Sequence, residues 1–266
     1  MGWTSVPASD LTADLFFVAA LRTGADSAHT RLLPLTRRRE PLAPHNRFSQ
    51  RILLALQALR YIEPELSLSH AEDWLYSRDW ITYGFADVGW RILKSSRESV
   101  AALQHWANEI RSPAASLEAW VNVWQDLALA EVAEYARWSL ARAAFNPEWA
   151  DEATGALSDG LRYFSISQVM YLVHIALRSI ALAHQRGGTS THQLSQIFAS
   201  AIANYVYRAT NERWTIRGMA RSMDLPRSSI AVVFADEVTG LGESYLYERP
   251  SIESLRRAIA SLEVVH

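Results

Sequence analysis

Two runs of apolar residues at three- and four-residue steps dominate the pattern of this chain. In the first, Val169, Leu172, Val173, Ala176, Leu177 and Ile180 line one face, the spacing of an amphipathic helix. Met170, Tyr171, Ile175 and Leu182 carry apolar character past that face, as in a helix central to its domain. In the second, Leu194, Ile197, Phe198, Ala201, Ile202, Tyr205 and Val206 repeat the pattern, and Gln193, Gln196, Ser200 and Asn204 take the other side. Between them stands Arg186-Gly187-Gly188. The glycines supply the left-handed backbone that ends a helix, and Thr189, Ser190 or Thr191 caps the next. The stretch predicts an αα-hairpin opening at Ser165.

The same periodicity, punctuated by Pro and Gly, extends along the chain. Leu11–Leu21 reads as a short helix capped by Asp10 and broken over Gly24–His29. Residues 31–51 contain Pro34, Pro41 and Pro44 and read as the least helical long stretch. Helices follow over Phe48–Ile62, after Ser67 or Ser69 (with Trp74 and Leu75), over Glu98–Ile110, and from Ser112-Pro113 to Phe145. Trp80, Tyr83, Phe85 and Trp90 read as packing residues around a bend at Gly84. A short helix over Glu148–Thr154 leads to an expected turn at Gly155–Gly160. Val232-Val233-Phe234 is the one β-like run, inside a helical context. The predicted fold class is all-α: a multi-helix globular bundle with a central αα-hairpin. Its expected division is 1–154 and 155–266.

Composition narrows the class. Apolar residues make up 49% and charged residues 20%, the balance of a globular chain, which at this length buries about 70–75% of its unfolded surface. A net charge of −2 supplies no global field toward nucleic acid or anionic lipid. The absence of cysteine excludes disulfides and thiolate chemistry. The first residues lack a basic leader, and Val169–Ala183 contains His174, Arg178 and Ser179. The expectation is a cytoplasmic chain without a membrane span. Lys94 is the only lysine among 26 basic residues. Arginine favours planar, bidentate contacts to phosphate and carboxylate.

Metal and catalytic patterns are sparse. No two of the eight histidines stand three or four residues apart, and His174, beside the apolar face, reads as a core histidine. Glu131-x-x-Glu134 followed by Glu148-x-x-Asp151 resembles the acidic set of the all-α NTP pyrophosphohydrolases, which hold Mg²⁺ between helices. Glu134 lies roughly 18 Å along the axis before the break at Asn146-Pro147, and Glu148 lies just after it. Antiparallel helices joined there put the two pairs at opposite heights, so no metal, cofactor or catalytic residue is expected.

Charge concentrates in two places. Residues 31–51 hold six arginines against Glu40 alone, and Arg37, Arg38 and Arg39 form a basic arm suited to phosphates. The segment TIRGMARSMDLPRSSIAVVF, within 215–234, resembles a helix-turn-helix unit. Met219, Ala220 and Met223 match the inner face of its first helix, Asp224 and Leu225 the turn, and Pro226, Ile230 and Val233 the second helix. Arg213, Arg217 and Arg221 fall at four-residue steps, followed by Arg227. In that family the second helix enters the major groove. Ala231 and Val232 leave only Arg227, Ser228 and Ser229 to touch bases. The resemblance implies a regulatory or assembly protein contacting nucleic acid mainly through phosphates, with Arg217 and Arg221 as exposed residues of little weight in stability. The other reading is a helical protein–protein interaction subunit, with a protein partner or a second copy and no nucleic-acid contact.

Overall fold

The computed structural model describes residues 10–65, 84–109, 117–212 and 214–263. Helix accounts for 66% of the chain and strand for 5%, so the protein is all-α with a small sheet. The expectations on Ser67 or Ser69, Trp74, Leu75, Trp80, Tyr83, Ser112, Pro113 and Arg213 lie outside the described residues. Two compact units are formed, with boundaries between Ser116 and Leu117, Pro226 and Arg227, and Gly240 and Leu241, not at 155–160. The N-terminal unit takes in Ser5–Ser116 plus Arg227–Gly240; the C-terminal unit takes in Leu117–Pro226 and the residues from Leu241 onward.

In the N-terminal unit, α1 (Asp10–Gly24) packs against α2 (Asn46–Ala58) and α3 (Ser96–Glu109). A three-stranded antiparallel sheet, absent from the sequence reading, joins β1 (Arg31–Leu32), β2 (Ile62–Glu65) and β3 (Gly89–Ile92) in the order β1-β3-β2. Two to four residues are too few to show alternation. Pro64 is tolerated because β2 is an edge strand. Glu63 stands opposite Arg91 in the register and pairs with it, while Arg31 reaches Glu65 at 2.8 Å. Phe85 and Trp90 are buried against each other, and Gly84 has the left-handed φ of the expected bend. The solitary lysine ties α1 to this sheet: Lys94 Nζ donates to Asp14 Oδ1 at 3.0 Å and to the Tyr61 hydroxyl at 2.6 Å. Tyr61 also donates to Asp14 at 3.1 Å. A compact ammonium fits between these two oxygens, whereas a guanidinium fork does not.

The C-terminal unit is built on α4 (Glu118–Arg142) and the hairpin of α7 (Ile166–Gln185) and α8 (Thr191–Asn211). Ser165 with Gln168, and Ser190 with Gln193, form reciprocal capping boxes. Ser190 is therefore the cap among the three candidates. Gly187 and Gly188 take φ of 75° and 76° as the stop requires. By length and composition α7 could cross a membrane. Here its Val169, Leu172, Val173, Ala176 and Ile180 are buried within the unit. His174 sits on the exposed side, not in the core, because it follows Val173 by 100° around the helix.

The expected turn at Gly155–Gly160 is instead helical. After α5 (Trp149–Glu152) comes α6 (Thr154–Leu161), packed on α8. Gly160 serves close approach: a Cβ there would stand 3.2 Å from Val206 Cγ2 and 3.3 Å from Val169 Cγ2. Two short helices, α10 (Ser244–Tyr247) and α11 (Ile252–Glu263), complete this unit, after α9 (Ser229–Val232) in the other.

Residues 214–222 have no helix, so the first half of the resembled helix-turn-helix does not form. The backbone is satisfied elsewhere. Met219 N donates to Ser167 O, Ser167 Oγ donates to Met219 O at 2.8 Å, and Gln168 Nε2 donates to Ile216 O. Gly218 makes this approach possible, since a Cβ would fall 2.4 Å from Ser167 Oγ. Ala220 and Met223, predicted for an inner face, are exposed.

Two stability predictions follow from these contacts. Gly218→Ala is expected to destabilise by about 1–3 kcal/mol through overpacking, and adding Ser167→Ala should recover part of that loss; urea unfolding of the single and double variants checks it. Lys94→Met leaves the Asp14 carboxylate buried and unpaired, and is expected to cost toward the lower end of about 3–5 kcal/mol. Replacing Asp14 by Asn in the same chain should then reduce the loss.

Candidate functional site

The arginines predicted to form one stripe are dispersed. Arg213 lies outside the described residues. Arg217 is exposed in the non-helical segment. Arg221 points inward and forms a bidentate pair with Glu131 of α4: Nη1 to Oε2 at 2.7 Å and Nη2 to Oε1 at 2.9 Å. The side chains are only 16% and 5% exposed. The Tyr245 hydroxyl donates to the same carboxylate at 3.3 Å. Burial opposes the charge on Arg221, but the hydrogen bonds and attraction of Glu131 outweigh it and raise the guanidinium pKa. Four-residue spacing brings side chains to one face on a regular helix or strand, and residues 214–222 form neither.

Arg227 belongs to the N-terminal unit, where Nη2 donates to Asp236 Oδ1 at 2.9 Å. Ser228 and Ser229 are buried, and Ser229 Oγ donates to Ala19 O at 3.0 Å. The helix they open, α9, runs into a π-helical turn over Val233–Val238. Ile230, Ala231, Val233 and Phe234 are buried within that unit. This helix is a core element, and Val232-Val233-Phe234 is helical, not a strand.

The basic arm is packed as well. Pro41 O and Leu42 O accept from Ser229 N and Ile230 N, capping α9, and Leu42 and Ala43 are buried. Arg38 folds over Gly24, donates to Leu33 O at 3.0 Å and Thr23 Oγ1 at 3.2 Å, and has its pKa lowered to about 10 by desolvation. Arg37 and Arg39 flank it in exposed positions. Of the nine residues proposed for nucleic acid, Arg37, Arg39 and Arg217 are thus exposed.

The acidic set does not converge either. Glu131 holds Arg221, Asp151 faces Arg137 at 3.7 Å, and Glu148 is exposed. Burial raises the Glu134 carboxyl above its ordinary pKa, with Arg137 opposing and Glu131 adding to the rise. Among the described residues no three His, Asp or Glu side chains stand as a metal-holding group.

A different surface has the geometry of a binding site. Because Gly160 lets α6 close on α8, a groove of about 310 Å³ runs between them. Ala156, Ala203 and Val206 contribute apolar lining, and Tyr163 and Tyr207 flank it, 51% and 66% exposed. Among the described residues that line it, Asp159 and Arg162 carry the charges and face each other at 3.7 Å. Sequence reading missed Tyr207 because it follows Val206 directly and reads as part of the same apolar run. Its exposure follows from the 100° step per residue.

No protein-family model, curated protein or solved structure matches this chain.

The fate of Arg221 gives a direct test. Arg221→Ala is expected to cost about 3–5 kcal/mol, because Glu131 stays buried without its partner. Arg217→Ala, on the surface, should change stability by less than about 0.5 kcal/mol. Chemical denaturation of the two single variants separates them; equal small effects would return Arg221 to the surface.

Proposed function

We propose that this protein is a non-enzymatic interaction subunit that engages a protein partner through the tyrosine-flanked groove between α6 and α8. The observation that carries this reading is the pairing of two exposed tyrosines with a groove of mixed lining, in which Ala156, Ala203 and Val206 stand beside Thr210, Asn211 and an Asp159–Arg162 pair. Tyrosine offers large contact area at low entropic cost and concentrates in binding hot spots. Phosphate binding instead needs several uncompensated cations, and here Asp159 offsets Arg162. The occupant that suits this chemistry is a partner segment inserting an aliphatic side chain between the rings, with polar groups for the tyrosine hydroxyls.

The nucleic-acid reading keeps Arg37, Arg39 and Arg217 but loses the shared face on which it depended. Arg221 and Arg227 are committed to Glu131 and Asp236.

The test combines capture and titration with one set of variants. Tyr163→Ala and Tyr207→Ala should each fold normally and lower affinity for a protein retained by the wild type by at least tenfold, a loss of about 2 kcal/mol. Site-specific photocrosslinks from position 207 should map to that protein. Duplex DNA at about 50 mM salt should show no binding. Binding of DNA that falls steeply with salt and is abolished by Arg217→Ala would restore the nucleic-acid reading. Self-association that is lost in Tyr207→Ala would make the partner a second copy.

A further inference from the structure

A second, wider groove lies within the N-terminal unit, with a volume of about 860 Å³. Its apolar lining is Val18 and Leu21 from the last turns of α1 and Val100 and Ala101 from α3. This size falls within the range of roughly 300–1,000 Å³ typical of small-molecule sites, which combine apolar walls with a few convergent polar groups.

The charges around the groove are unevenly used. Arg22 and Glu237 pair with each other. Asp26 is occupied by its own turn: it accepts from Thr30 N at 2.8 Å, Thr30 Oγ1 at 2.8 Å and Arg31 N at 3.2 Å. These bonds hold its carboxyl below the ordinary range. Arg97 and His29 remain, and among the described residues neither has a carboxylate partner. His29 is brought to the rim by a turn in which its N–H donates to Asp26 O and its backbone takes φ of 54°. Ser96 and Arg97 also begin α3, whose dipole favours an anion, while Ser95 Oγ caps Glu98 N. Glu98 stands in the same turn but does not line the groove.

An apolar wall thus meets a guanidinium with no carboxylate pair among the described residues, an imidazole and a helix start. We propose that this groove binds a small amphipathic anion, a carboxylate carrying an aliphatic body, with the carboxylate on Arg97 and the body along Val18, Leu21, Val100 and Ala101. The site is independent of the tyrosine groove, which belongs to the other unit.

The probes are octanoate, octanol and octylammonium, which share one body and differ in charge, titrated calorimetrically into the full chain. Octanoate should bind saturably and about tenfold more tightly than octanol, the factor expected of a charge-assisted hydrogen bond. Octylammonium should bind more weakly than either. Arg97→Gln should reduce octanoate to the octanol level and leave octanol unchanged. Val100→Asn, at an exposed position, should weaken octanoate and octanol alike. Backbone amide shifts on adding octanoate to the wild type should concentrate at Ser96, Arg97, Val100 and Ala101, a readout that needs no variant. Equal binding of octanoate and octylammonium, unchanged octanoate affinity in Arg97→Gln, shifts elsewhere, or no saturable binding of any probe would each overturn the proposal.

Discussion

A carboxylate buried halfway along the longest helix constrains the C-terminal unit. Helix α4 is covered by its neighbours along most of its length, so Glu131 cannot keep its water. An ionised carboxylate in such a place requires a paired and hydrogen-bonded cation. Arg221 meets that requirement with both guanidinium nitrogens, and Tyr245 adds a third donor. The segment carrying Arg221 must therefore run along α4 and the start of α7. Ser167 and Gln168 hold its backbone there, and Gly218 has no side chain to prevent it. A helix over 216–223 would have to surrender these bonds and would rotate Arg221 away from Glu131.

The same logic of close approach creates the surface on the other side of the hairpin. Gly160 has little helix propensity, yet it suits this position in α6 because Val169 and Val206 crowd the space a side chain would fill. The resulting proximity of α6 and α8 leaves Tyr163 and Tyr207 flanking a shallow groove of mixed lining. Asp159 stands beside Arg162, so the charges of these two lining side chains offset each other.

Part of the arginine content is committed to internal pairing. Arg31, Arg91, Arg221 and Arg227 each pair with a carboxylate of the same unit, and Arg38 packs over a glycine. The single lysine is equally committed, because Asp14 and Tyr61 leave room for a small ammonium between them. A basic stretch in a sequence reports the number of cations and not the number that reach solvent.

The all-α class and the central hairpin were legible from local signals alone. Apolar spacing, Gly187-Gly188 and the cap candidates Thr189, Ser190 and Thr191 act within one or two turns, so the sequence determines them without reference to the rest of the chain. The small sheet was not legible, because strands of two to four residues carry no period. Nor was the route of residues 214–228, where Met219, Ala220, Leu225 and Ile230 satisfy a helix-turn-helix pattern that depends only on spacing. Tertiary structure decided against it, since Ser167 and Glu131, some 50 and 90 residues away in sequence, offer that segment better hydrogen bonds than its own helix would. Which arginines face solvent, and where two tyrosines meet a groove, depend on such long-range pairings, which local periodicity cannot encode.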